Sequence, residues 1–184
     1  MIDINKDLIQ RLTDRIEAGQ DSELRSWSSD LHATDLAEIL DQMRTDAASY
    51  LFRLLDTDVK ADVLIELDED QRANLLSGMT AEEIAGGVLG QLDSDDATDV
   101  VAELPPNKAE EVIGHLEDDE QASDIRDLLA YAEGTAGAMM AKELVKVQSE
   151  WTVTRAIREI RRQAEELHQV YTCLLYTSPS PRDS

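Results

Sequence analysis

Leu or Met recurs at Met43, Leu55, Leu67, Met79, Leu92, Leu104 and Leu116, at intervals of twelve residues with a single interval of thirteen. A fixed period constrains the fold more than any single motif, because each unit must bury its apolar face against copies of itself. The units open on a cap or turn residue, Asp56, Asp68, Thr80, Asp93 or Pro105, and continue for about ten good helix formers. Two of them, LDTDVKADVLIEL (Leu55 to Leu67) and LDSDDATDVVAEL (Leu92 to Leu104), are close copies. In the second, Ala97, Val100, Val101 and Leu104 stand at i, i+3, i+4 and i+7, one face of a helix. Isolated helices shorter than roughly 12 to 15 residues barely form in water, so these must stack. The spacing therefore predicts a mostly α chain: a right-angled stack of short helices from Leu31 to Tyr131, a small α-superhelix. A leading helix is expected over Met1 to Ala18, stopped by Gly19.

The acidic residues follow the repeat. Asp56 to Glu133 holds 23 acidic and 4 basic residues, a formal charge of −19, whereas Thr135 to Thr172 holds 5 acidic and 6 basic. A boundary is expected near Gly134, and with it a superhelical domain over 1–131, a linker at 132–135 and a different module from 136. The formal net charge of −23 argues against nucleic acid, which needs clustered Lys and Arg. No apolar run approaches the roughly 20 residues of a membrane span, and the start, MIDINKDLIQRL, has no signal-peptide core. A location on the cytoplasmic side follows by default. Acidity of this degree also fits a solubility role.

After Gly134 the pattern changes. ELVKVQ, Glu143 to Gln148, alternates like a strand, and Trp151-Thr152-Val153 leads into a helix with Val153, Ala156, Ile157 and Ile160 on one face. A second strand is expected to begin at His168 to Tyr171. The last stretch, Cys173 to Asp183, resembles, residue for residue, a translation of a common transposase sequencing adapter. The native frame is then expected to end at about Thr172, with 173–184 a non-native tail that carries the single cysteine, Cys173. A module cut at that point leaves Val145, Val147, Ile157 and Ile160 without full cover.

On a helix, Asp95 and Asp99 lie four apart on one side, and Asp96 and Asp99 three apart. Like charges so placed cost about 0.2 to 0.5 kcal/mol per pair. Asp95 and Asp96 gain from the first-turn dipole, and Asp99 does not. Hard divalent cations take oxygen ligands, and magnesium uses one or two carboxylates while keeping most of its waters. Two aspartates on one short helix are half of such a site, and a facing domain would supply the rest. Asp68, Glu69, Asp70, Glu82, Glu83 and Glu117 to Glu120 read more simply as caps, dipole partners and solvated faces.

LHATDLAEIL, the repeated LD-x-D units and YAEGTAGAMMAKELVKV, Tyr131 to Val147, resemble the cytosolic N-terminal region of MgtE-family magnesium transporters and channels. The likeness covers about Met1 to Thr172. It implies an α-superhelical N domain followed by a truncated first CBS module over 136–172, with the later CBS parts and membrane domain of the family absent, and a homodimer in the full-length protein. It implies regulatory Mg2+ between the N domain and its neighbours, with ligands at Asp62, Asp95 and Asp99 and a backbone oxygen at Ala138, where the family often has glycine. The implied function is magnesium sensing that limits uptake by negative feedback, with transport left to the membrane domain. Two other classes stay open: a helical-repeat interaction scaffold, and a CBS nucleotide sensor whose binding segments would lie past Thr172.

Other chemistry is thin. His32, His115 and His168 have no ligand spacing, and no Ser, Cys or His sits in a nucleophile motif, so the chain does not read as an enzyme. Gly86, Gly87 and Gly90 form no phosphate loop and suggest close helix packing instead. Gly134 and Gly137 let the chain turn. Trp27 and Trp151 read as packing anchors.

Overall fold

A computed structural model of the chain describes residues 4–163 other than 133, 144, 146 and 149. It divides into two compact units, Met1–Lys142 and Glu143–Ser184. The first begins with α1 (Lys6–Glu17), capped by Asn5, whose side-chain oxygen accepts the Leu8 N–H at 3.0 Å. Gly19 ends it at φ +66°, where only glycine is unstrained, and the Gly19 and Gln20 N–H groups close back on Ile16 O and Arg15 O at 3.0 and 3.1 Å.

There follow α2 (Asp21–Ser28), α3 (Ala33–Asp41), α4 (Thr45–Leu54), α5 (Thr57–Glu66), α6 (Glu69–Ser77), α7 (Ala81–Gly87), α8 (Ser94–Ala102), α9 (Pro106–Gly114) and α10 (Asp119–Leu129). The starts of α4 to α9 reproduce the interval of the sequence, and the extra residue is absorbed as a 3-10 turn, Leu89–Gln91, between α7 and α8. Several helices pack on the one after next: α3 on α5, α5 on α7, α7 on α9, α4 on α6 and α8 on α10. The face read from LDSDDATDVVAEL is buried as a stripe, Ala97, Val100, Val101 and Leu104, continuous with a core that includes Phe52, Leu64, Ile84 and Leu89. Trp27 packs partly buried against that core.

A second periodicity ties the stack together. In α6, α9 and α10 the residue three places after the cap carries a long donor that reaches carbonyls at the end of a helix about thirty residues earlier. Gln71 Nε2 donates to Leu40 O at 2.7 Å. Lys108 Nζ donates to Leu76 O and Met79 O at 2.7 and 2.8 Å. Gln121 Nε2 donates to Leu89 O and Leu92 O at 2.8 and 3.1 Å. The last carbonyls of a helix have no partner within it, so α6, α9 and α10 complete ends left by α3, α6 and the α7 turn.

One expectation gains detail here and one needs correction. Asp56 and Asp68 occupy cap positions with extended backbone but make no side-chain capping bond, whereas Thr80 and Glu83 form a full capping box, with Glu83 N–H on Thr80 Oγ1 at 3.2 Å and Thr80 N–H on Glu83 Oε2 at 2.8 Å. A Cβ at Gly86 or Gly87 would meet nothing within 4 Å, so close packing is not what these glycines serve.

The second unit holds α11 (Val153–Gln163), the helix expected after Trp151, with Arg155 stacked 4.3 Å over the Trp151 ring centroid. No residue of α11 is buried, and Val147, Val153 and Ile157 stand exposed. The strand expected over Glu143 to Gln148 does not form among its described residues, 143, 145, 147 and 148. Of the strand and helix expected after 136, the helix is present and no strand is found among the described residues, since a strand needs a partner ladder. The segment His168 to Tyr171 and the tail 173–184 lie outside the described residues.

Candidate functional site

A concentration of charge beside a concavity lies between α6 and α8. A cleft of about 690 Å³ is lined by Glu69, Asp70, Arg72, Asp96, Asp99 and Glu103, with Ile65, Ala73, Val100 and Ala102 beneath them. Glu69 and Asp70 come from the first turn of α6, Asp96 and Asp99 from successive turns of α8, and Glu103 from its C-cap. The repeat creates this wall, since α6 and α8 both begin on an acidic first turn.

Five carboxylates thus face one guanidinium. Arg72 reaches across to Glu103 with a forked pair, Nε to Oε2 at 2.9 Å and Nη2 to Oε1 at 2.5 Å. Its remaining amine lies 3.4 Å from Ile65 O and 3.5 Å from Leu67 O. The Glu103 bond, against the cost of burial, and then the charges of Glu103, Glu69 and Asp99 hold the guanidinium proton still more firmly than usual. A smaller recess of about 620 Å³ adjoins, lined by Asp41, Asp68, Glu69, Asp70, Gln71 and Asn74. There both Asp41 oxygens accept the Asp68 N–H at 3.3 Å, yet burial, helped by the Asp68 charge, leaves the Asp41 carboxyl above its ordinary pKa.

The residues singled out from sequence are placed as follows. Asp99 lines the cleft, exposed on α8. Asp96 lies beside it in the lining, while Asp95, half-buried one turn before Asp99, is not among the lining residues, and neither is Asp62, exposed on α5. Ala138 is half-buried in the turn after Gly134. Among the described residues no three His, Cys, Asp or Glu side chains converge to hold a metal ion. His32 and His115 sit at helix caps far apart in the chain, and His168 lies outside the described residues. Glu69 and Asp70 were not legible as cleft residues, because their meeting with α8 depends on how the superhelix returns, and Glu103, at the end of α8, meets Arg72 for the same reason. The available signal was the acidic first turn shared by α6 and α8.

Fold and cleft together define a class: an acidic short-helix repeat module that offers carboxylate oxygens on a concave face. The chain belongs to the MgtE intracellular N domain family, whose model matches residues 31–134. No curated protein sequence matches it. Among solved structures it resembles the soluble part of a magnesium transporter, with TM-score 0.72 at 24% identity over 90% of this chain and 65% of that one. It also resembles the cytosolic domain of the Mg2+ channel MgtE in complex with ATP, with TM-score 0.76 at 25% identity over 89% of this chain and 66% of that one. The chain thus spans just under two thirds of the length of both. Among the described residues no helix is long and apolar enough to cross a membrane.

Proposed function

We propose that this chain is the magnesium-sensing cytosolic portion of a magnesium transporter or channel, acting by negative feedback on uptake. The observation that carries the reading is the cleft between α6 and α8, where Glu69, Asp70, Asp96, Asp99 and Glu103 face the single cation of Arg72 in a member of this family. Carboxylate oxygens are the hard donors that Mg2+ takes, and magnesium needs only one or two of them beside its waters. The donor chemistry fits, and it fits as part of a site: the rest must come from an element facing this one. Asp99 of this cleft, together with Asp62, Asp95 and the Ala138 carbonyl outside its lining, are the residues that would hold the ions.

When magnesium is scarce, the acidic repeat is repelled by acidic neighbours and the assembly opens. When it is plentiful, ions bridging the carboxylates favour the compact form, and binding only that form shifts the population toward it. Carrying a two-state equilibrium from mostly open to mostly closed takes about 5.5 kcal/mol of differential binding. Several carboxylates spread along the repeat, rather than one, are suited to supply it. Transport belongs to a membrane domain of the same polypeptide, and the working unit is a homodimer.

The test uses the full-length protein. Asp95→Ala combined with Asp99→Ala raises the magnesium concentration needed for compaction, read as protease protection across a titration. An unchanged midpoint overturns the assignment of these aspartates.

A further inference from the structure

The chain does not leave the first unit directly after α10. Gly134 takes φ +74° and reverses it. Thr135 then organises one tight turn: its hydroxyl donates to Ala132 O at 2.8 Å, and its carbonyl accepts the Ala138 and Met139 N–H groups at 3.1 and 3.3 Å. Gly137 lies against the Tyr131 ring so closely that a Cβ there would come within 2.8 Å of Cε1 and 2.9 Å of Cγ. The strap so formed ends at Lys142. The Lys142 backbone N–H donates to Oγ of the buried Ser94, at the start of α8, at 2.9 Å. Its Nζ lies 3.2 Å from Asp127 Oδ2 and 3.7 Å from Asp124 Oδ1, both on α10.

We infer that Lys142 is a releasable latch, fastening the 134–142 strap across the neighbouring helices α8 and α10 and thereby fixing where the chain leaves the first unit. Three features carry this. Lys142 is the last residue of that unit, so its bonds are the final restraint before the chain goes on. It touches both members of a packed helix pair, so it cannot shift with one alone. The strap also has two halves of different chemistry: a turn closed by neutral hydrogen bonds around Thr135 and Gly137, and an ionic end. With the Lys142 side chain 24% exposed and that of Asp127 64% exposed, the ionic end is open to screening by salt. The turn is not. Releasing Lys142 frees the exit of the chain while leaving the repeat intact. This holds whether or not the carboxylates of α8 bind a cation.

Hydrogen exchange by mass spectrometry on the full chain tests it. Lys142→Met is expected to speed exchange of the amides around 140–143 by roughly fivefold at low salt, the size of a partly exposed ion pair. Wild-type exchange there is expected to rise toward the variant's between about 20 mM and about 500 mM sodium chloride, as the screening length falls from roughly 20 Å to roughly 4 Å. Amides of the α8 and α10 cores are expected to stay as in the wild type. Equal exchange in both proteins at low salt, or wild-type protection indifferent to salt, overturns the inference. If Lys142→Met also loosens α8 and α10, the exchanged pair Lys142→Asp with Asp127→Lys decides: return of strap protection supports the latch, and its absence overturns it. Neither result bears on the midpoint of magnesium-driven compaction, so the two readings fail separately.

Discussion

Replacing Arg72 by Met removes the one cation that lines the cleft among the described residues and leaves a stem of similar bulk. The Arg72 and Glu103 side chains are 15% and 29% exposed, so solvent screens the pair only in part. Hydrogen bonds to charged groups contribute about 1.5 to 3 kcal/mol. The fork has two, but they share one geometry and retain some water, which places the loss at about 2 kcal/mol. The contacts to Ile65 O and Leu67 O, at 3.4 and 3.5 Å, are too long to add much. For a chain of this length each kcal/mol moves the melting temperature by about 2 to 4 °C, so Arg72→Met is expected to lower Tm by about 4 to 8 °C in calorimetry at low ionic strength. Glu103→Gln is expected to cost less alone, and the double variant less than the sum, with a coupling of at least about 1 kcal/mol. Additive losses, or a Tm shift below about 1 °C, would show that the fork contributes nothing and that Arg72 does not hold α6 to α8.

Thr80→Ala breaks the capping box of α7 and is expected to cost about 1 kcal/mol in urea titration. The Thr80 backbone N–H, and then its hydroxyl, hold the Glu83 carboxyl below its ordinary pKa, so the Glu83 half of the box is present above the unfolded value near 4.5 and is lost as pH falls through the lower folded one. Thr80→Ala keeps that N–H and loses the acceptor of the Glu83 N–H, which does not titrate, so the gap between wild type and Thr80→Ala is expected to narrow only slightly in acid, whereas that between wild type and Glu83→Gln is expected to narrow clearly. Gly137→Ala drives a methyl into the Tyr131 ring and is expected to raise proteolysis near the strap. Tyr131→Ala, added to it, is expected to restore protection, and failure to do so would place the strain elsewhere.

The superhelix was legible because its apolar residues, its caps and its length all repeat together. A spacing of thirteen between Met79 and Leu92 even marked where the pattern would stretch, although not that the stretch would be a 3-10 turn. Cap positions were legible and cap bonds were not. An aspartate before a helix fixes where the helix starts, but whether its oxygen meets an N–H depends on a side-chain torsion that tertiary packing selects. At the described residues 143, 145, 147 and 148 no strand forms, for a related reason: alternation describes a face, and a strand forms only where a neighbour supplies its ladder. In the cleft, the place of Asp99 on the outer face of α8 was legible from helix spacing, while Arg72 and Glu103, thirty-one residues apart, meet only because the chain returns at that pitch. The long donors Gln71, Lys108 and Gln121 shared one offset from their caps all along, a regularity that a search limited to apolar residues passes over.

Those donors also give the stack a direction in time. During synthesis the end of α3 cannot be closed until Gln71 has left the ribosome, nor the end of α6 until Lys108 has, so each coil waits for a stretch of nascent chain some thirty residues behind it. At these three sites, losing the earlier helix leaves an amine or amide that water satisfies easily, whereas losing the later one reopens a helix end that had been closed. The loss of such a bond is therefore felt nearer the N-terminus than the residue removed, against the order in which the protein was made.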